Sequence, residues 1–449
     1  MLTITDRFID DLYKLSFVRF DKDVYEQAKK CLLDYLGVTI AGCQIMKNKT
    51  DELYNHIAKE TGAISLIGFN KKASVLEAAL INGMNAHVAE LDDGERFGMI
   101  HPGAPIFSAL LPAAQKFQIA ANQFLKGVII GYETAIRMAR ALQPALKDKG
   151  FHATGICGTV GAAIAVGIAM NFTKKQLKDT LSAAVTSASG LIKVIKDSSE
   201  MKPYNVGLAA QNALNSVLLV KAGFEGPDDI LDGEKGFLSV FTGKYDAKQI
   251  FKSANEIPAI MGIYRKPYAA CRHCHAPIEA AIRLREQYKI KVQDIQSINV
   301  KTYRWAVEGH DHTEITGINS AKMSIPYSVA IALKTGKATI QEFMPEWISD
   351  ESVSALTEKV NVFSDDDLTA LAPQKRVAMV ELIMTNGNCL NERIDYPKGE
   401  PETPMSVNNI EEKFYSLAFF ANLERKISEA IVQYVWNIET DLKKLLQII

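Results

Sequence analysis

The chain has little of what marks most specialised proteins. Its 449 residues hold 6 cysteines and 3 tryptophans, and 51 Lys+Arg nearly cancel 52 Asp+Glu. Cysteines at 31, 43, 157, 271, 274 and 389, scattered over so long a chain, exclude a disulfide-stapled scaffold. Near-neutral charge removes the bulk electrostatic case for nucleic acid or an anionic membrane surface as partner. The longest almost uncharged stretch, 155–171, is rich in Gly and Ala and falls short of a membrane span, so it reads as a buried helix. The opening MLTITDRFIDDLYKL places Asp6, Asp10 and Asp11 where a secretory signal would need an apolar run, and a cytoplasmic protein is expected. There is no phosphate loop, Rossmann fingerprint, G-x-S-x-G elbow or H-E-x-x-H, which removes the usual signals for a nucleotide, a flavin, a serine nucleophile or a zinc protease.

What is there is ordinary globular material, 47% apolar and 23% charged, enough for a large core. Residues 1–265 read mostly as helices, with apolar residues at helical spacing over 28–42, 106–117 and 125–142. The stretch 158–170, GTVGAAIAVGIAM, is a small-residue helix suited to close packing. Thr173 with Gln176 three residues on signals the next helix start. A further helix is predicted over 207–222, with Lys202 just before it. After about 265 the period changes. Pro277 opens a predicted helix over 278–287. Alternating runs at 298–303 and 377–385 read as strands, and Asn386-Gly387 after the second is a hairpin signal. The expected organisation is a helical domain over 1–265, an α+β domain over 266–400, and C-terminal helices over 401–449 that pack back on the first, with KGEPETP (398–404) as linker.

Four segments carry chemistry. Residues 85–105 gather two histidines and four carboxylates between His87 and His101, the material of general acid/base work, although a solvated acidic loop has the same composition. His152 lies in a Gly/Thr-rich turn before the small-residue helix, whose N-terminus suits a carboxylate, or it is a structural histidine. Lys202 can pair with a substrate carboxylate, titrate as a base, or simply be solvated. Lys266, Arg272, His273 and His275 crowd into ten residues. If that stretch is extended, Cys271, His273 and His275 share one face, which invites a metal reading. The spacing matches no usual structural site and lacks a second Cys/His pair, so no metal is expected, and the same caution covers His310 and His312. Anion binding by Lys and Arg, with a histidine carrying the proton, is the better reading there.

The order of short motifs resembles the MmgE/PrpD family over nearly the whole chain. The motifs are Asp34-Tyr35-Leu36-Gly37, Asn82–His87, His101-Pro102-Gly103, Gly131-Tyr132-Glu133, Phe151–Gly155, Lys202–Ala210, Gly223–Pro227, Lys266–His275 and Ser324–Tyr327. The resemblance implies a mainly α fold, a large helical domain with a smaller α+β lid, usually as a homodimer. It also implies proton chemistry beside a carboxylate of a small di- or tricarboxylate, with neither metal nor organic cofactor. Members include 2-methylcitrate dehydratase, cis-aconitate decarboxylase and iminodisuccinate epimerase. By resemblance His101, His152, Lys202, Lys266 and Tyr327 fall at active-site positions. Asp93 is added as a catalytic candidate and Glu90, Arg272, His273 and His275 as substrate-binding candidates. The acidic stretch departs from the family's D-F-D-D-T, reading Glu90-Leu91-Asp92-Asp93-Gly94, and the path to His101 is one residue shorter. A dehydratase or decarboxylase is the first expectation, a two-base epimerase of a small dicarboxylate the second, and a non-catalytic homologue the third.

Overall fold

A computed structural model describes residues 2–58, 62–195, 200–251 and 256–449. The chain divides into two compact units. The first comprises Met1–Val194, Met201–Ile263 and Ser406–Ile449; the second comprises Ile195–Glu200 and Tyr264–Met405. Among the described residues no helix is long and apolar enough to cross a membrane.

The first unit is built from helices whose starts are written in the sequence. α1 (Ile4–Leu15) begins with a capping box of Thr3 and Asp6, so two backbone N–H groups that the helix cannot satisfy are satisfied reciprocally. α2 (Lys22–Ile45) and α3 (Lys47–Ile57) follow. A short antiparallel pair, β1 (Ile64–Leu66) and β2 (Phe69–Ala73), then leads to α4 (Val75–Val88), capped by Ser74 and Glu77 in the same box. Next come α5 (Gly103–Phe117), α6 (Ala121–Leu142), the single turn α7 (Ala145–Asp148) and α8 (Ala153–Ala169). Every residue of α8 is buried, which its Gly- and Ala-rich sequence permits because neighbouring backbones can approach closely. α9 (Lys174–Ser187) starts at the predicted Thr173–Gln176 box, and α10 (Lys202–Lys221) packs on α4 and α8. The α4–α10 crossing requires two glycines: a Cβ on Gly83 would lie 2.7 Å from the Gly207 Cα, and one on Gly207 2.4 Å from the Leu80 carbonyl oxygen.

Helices Val407–Phe420, Arg425–Trp436 and Ile438–Ile448 belong to this unit, with the first packed against α2. Lys413 fixes that contact. Its Nζ donates to Asp34 Oδ1 at 2.6 Å and to the Leu91 carbonyl at 2.8 Å.

The second unit centres on a four-stranded sheet in the order β4-β3-β5-β6. β3 (Ile295–Thr302) pairs in parallel with β4 (Val360–Ser364) and antiparallel with β5 (Ala378–Met384). β5 and β6 (Cys389–Ile394) form the hairpin predicted at Asn386-Gly387, where Gly387 has φ 85°. Burial alternates strictly along β5, as its sequence period requires. The helix His275–Tyr288 covers β5 and β6, and the helix Ile325–Thr335 packs on it and on β4.

Several boundaries differ from the sequence expectation. α10 starts at Lys202 rather than 207, so Lys202 is the first helical residue; Pro203 is tolerated because the first turn has no N–H to lose. The helix after Cys274 starts at His275, which places Pro277 within its first turn. The segment 398–404 is a packed turn rather than a linker. The Lys398 N–H donates to Glu279 Oε2 at 2.6 Å, the Arg265 N–H to the Gly399 carbonyl at 2.9 Å, and Glu400 is buried.

Candidate active site

The site of the first unit is assembled from one loop and two helix starts. α4 delivers His87 at its last turn, fully buried. The chain then runs through residues 89–102, with Glu90 and Met99 in the left-handed region at φ 56° and 50°. A two-residue bridge closes this loop: Glu95 N–H to the Ile100 carbonyl at 2.8 Å, and Ile100 N–H to the Glu95 carbonyl at 3.2 Å. The Glu95 carboxylate is buried inside the turn, accepting from the Gly98 N–H at 2.6 Å and from Arg140 Nη2 at 2.8 Å. The loop is therefore tied from inside, and its carboxylates and His101 hold fixed positions.

Those positions bring three imidazoles together. The His87 ring centroid is 5.2 Å from that of His101 and 6.0 Å from that of His152. His87 Nδ1 is 2.7 Å from Asp92 Oδ2, while its Nε2 is buried with no hydrogen-bond partner among the described residues. His101 Nδ1 bonds the Asp93 carbonyl at 2.7 Å, which fixes that nitrogen as the donor and leaves Nε2 as the basic one. The His101 N–H donates to Thr154 Oγ1 at 3.1 Å, so the loop is also fastened to α8. His152 is the residue before α8; its N–H bonds the Gly190 carbonyl at 3.0 Å, and its Nδ1 is 3.3 Å from Asn205 Nδ2 on α10.

Charge is distributed unequally around these rings. Burial pushes the His152 imidazole well below its ordinary value of 6.5, and His87, Lys202 and His101 add to the effect while Glu90 opposes it. His152 is therefore neutral at pH 7, and its surroundings oppose protonation. Lys202 and Glu90 form a charge-assisted hydrogen bond, both largely buried. Burial raises the Asp93 carboxyl from 3.8 to about 7, reinforced by Asp34 and Asp92 and opposed by the Tyr132 hydroxyl and the Gly103 N–H. Tyr132 donates to Asp93 Oδ2 at 2.5 Å and the Gly103 N–H to Oδ1 at 3.1 Å. A Cβ on Gly103 would stand 2.5 Å from the Tyr132 hydroxyl and 2.8 Å from both Asp93 oxygens, so only glycine lets this carboxyl lie against the start of α5.

The candidates of the second unit are described on their own. Lys266 is buried. Arg272 is buried in an ion pair with Glu400, its guanidinium 4.9 Å over the Tyr264 ring. The stretch 271–275 is not extended: Arg272–Cys274 is a 3-10 turn, and of the three residues expected on one face only Cys271 and His273 keep their ligand atoms together, within 4.8 Å. His275 turns inward, with Nε2 3.1 Å from the Ala270 carbonyl. His273 faces Tyr303 and His310, with Nδ1 2.5 Å from the Tyr303 hydroxyl. The Tyr327 hydroxyl donates to the Glu342 carbonyl at 2.7 Å within a buried aromatic contact with Phe343.

Comparison with known proteins bears on these residues at the level of the whole chain. The model of the MmgE/PrpD N-terminal domain matches residues 8–250, and that of the C-terminal domain matches 268–437. The chain belongs to the MmgE/PrpD family. Cis-aconitate decarboxylase of Aspergillus terreus is 24% identical over 456 residues, covering 95% of this chain and 92% of its own. The human cis-aconitate decarboxylase is 24% identical over 472 residues, covering 97% and 92%. The 2-methylcitrate dehydratase of Escherichia coli K12 is 22% identical over 470 residues, covering 98% and 95%. The relatives named are thus lyases of small carboxylic acids.

Three participants in this candidate site are not among the residues selected from sequence. His87, Asp92 and Tyr132 all lie inside motifs that are visible there: the end of Asn82–His87, the acidic run, and Gly131-Tyr132-Glu133. What the sequence does not show is that His87 pairs with Asp92 and that Tyr132 reaches Asp93.

Proposed function

We propose that the first unit carries a lyase site that moves a proton at the carbon next to a carboxylate of a small di- or tricarboxylate, as a dehydratase or a decarboxylase. The single observation that carries the reading is the convergence of His87, His101 and His152 beside the Lys202–Glu90 pair. Removing a proton beside a carboxylate leaves an electron pair that delocalises into that carboxylate, so cationic and N–H donors must face it. Lys202, at the first position of α10, and the N-terminus of α8 supply them. His101, whose Nδ1 is spent on the Asp93 carbonyl and whose Nε2 is left basic, is suited to take the carbon-bound proton. The Asp93 carboxyl, poised near pH 7, is suited to return one. In dehydration the C–O bond breaks and the hydroxide leaves with that proton as water. In decarboxylation the C–C bond breaks, carbon dioxide leaves, and the proton goes to carbon. His87 held by Asp92 follows the pattern of a base oriented by a carboxylate.

The test is turnover of a panel in deuterated water, followed by NMR and carbon dioxide release. The panel contains cis-aconitate, 2-methylcitrate and small dicarboxylates. Formation of an alkene, or loss of carbon dioxide, is expected for at least one acid. Inversion with deuterium at the α-carbon and no elimination anywhere in the panel would make the protein an epimerase and sink the lyase reading.

A further inference from the structure

We propose that Cys271, His273 and His310 of the second unit form a binding site for a transition-metal ion of the zinc class. One thiolate and two imidazoles are brought together there, with their ligand atoms all within 4.8 Å of one another. The third ligand is not His275, which bonds the Ala270 carbonyl, but a histidine distant in sequence.

Three features make this a built arrangement. Each imidazole already spends its Nδ1: His273 on the Tyr303 hydroxyl at 2.5 Å, and His310 on the Glu308 carbonyl at 3.1 Å. Histidines that ligate metals are held in this way, with one nitrogen bonded to a carbonyl or hydroxyl and the other presented to the ion. The rings meet edge to face with centroids 4.9 Å apart, so the two imidazoles lie against one another beside Cys271. Finally, the backbones are pinned independently. The Cys271 N–H bonds the Lys322 carbonyl at 2.8 Å, the His310 N–H bonds the Val307 carbonyl at 3.0 Å, and the His310 carbonyl accepts from the Ile325 N–H at 2.8 Å.

Tetrahedral zinc with Zn–S near 2.3 Å and Zn–N near 2.0 Å places its ligands about 3.3–3.6 Å apart, so the side chains close by roughly 1 Å on loading. Three protein ligands leave the fourth position to water or another donor. The charge environment selects among ions. Arg272 is paired with Glu400, and Arg376 is close enough to Cys271 and Tyr303 to act on both. An arginine beside the cluster opposes any dication that does not bond the sulfur. Zinc and cobalt, which bond thiolate and imidazole, fit the donor set; magnesium and calcium, which demand oxygen ligands, do not.

The experiment uses the full-length protein, stripped of metal and titrated with Co²⁺. A thiolate-to-cobalt charge-transfer band should grow to one equivalent and be displaced by Zn²⁺. Cys271→Ser should abolish it, Tyr303→Phe should weaken binding roughly 10–100-fold by loosening His273, and Cys389→Ser at the exposed thiol should leave it unchanged. No band with folded protein, or a band that survives Cys271→Ser, overturns the proposal. A second readout needs no variant: saturating Zn²⁺, but not Mg²⁺, should shield the half-buried Cys271 from iodoacetamide, mapped by mass spectrometry. Unchanged alkylation of Cys271 under saturating Zn²⁺ overturns it equally. Neither readout depends on the activity proposed for the first unit.

Discussion

The carboxylate of Asp92 lies 2.7 Å from Nδ1 of His87, and both side chains are buried. An imidazole held this way presents Nε2 in one tautomer and one orientation. Its partner across the site, His101, is 3.6 Å from the same Asp92 oxygen. Asp92 is thus shared between two rings, and its loss should disturb both.

Asp92→Asn is expected to lower kcat by roughly 10²–10⁴, the range for losing a positioned proton carrier, with little change in KM. Steady-state kinetics on whichever acid is turned over measures this. A change confined to KM would mean that Asp92 serves binding rather than proton transfer.

Lys202→Met should raise KM about ten- to hundred-fold, since a charge-assisted hydrogen bond is worth about 1.5–3 kcal/mol. The single variant also strands the buried Glu90 charge, so it should lose stability. Adding Glu90→Gln should restore the melting temperature without restoring KM. Recovery of both would place Lys202 outside substrate binding.

Stability should respond to pH with opposite signs from two residues. Asp93 is raised in the folded state, so its contribution is complete below about 3.8 and is lost as pH rises through about 7, on the order of 4 kcal/mol across that window. His152 is lowered, so folding excludes a proton that the unfolded chain accepts, and stability is lost as pH falls below 6.5. Thermal melts from pH 4 to 8 should show Asp93→Asn removing the first slope and His152→Gln the second. Parallel profiles for wild type and both variants would contradict the assignments.

Gly103→Ala should destabilise by about 1–3 kcal/mol, the usual cost of overpacking, because its Cβ would press on the Tyr132–Asp93 contact. Urea unfolding gives the number. Tyr132→Phe, which removes a donor that favours the carboxylate, should instead move the Asp93 titration upward, visible as a shifted limb in the pH–rate profile.

Much of this was legible in the residues and some was not. Thr173–Gln176 fixed a helix start because the capping box is local chemistry. Asn386-Gly387 fixed a hairpin because the turn demands positive φ. The pair β1–β2 escaped notice because eight residues split by Gly68 show no sustained alternation, and β4 because a five-residue run reads no differently from a helix fragment. In the site, His101, His152 and Lys202 could be named from motifs. The partners of His87, Asp93 and His273 come from loop closure and from segments far along the chain, which spacing does not encode.

Lys413 gives the chain a temporal order. The loop that holds Glu90, Asp92 and Asp93 is fastened at the Leu91 carbonyl and at Asp34 by a side chain close to the C-terminus. During synthesis the first unit emerges early, yet this fastening must wait until residues 264–405 have passed. Those residues form a compact unit of their own and can close while the helices upstream are still incomplete. The candidate site is therefore among the last parts of the molecule to be finished, and a nascent chain stalled before residue 413 holds its histidines without the brace on their loop.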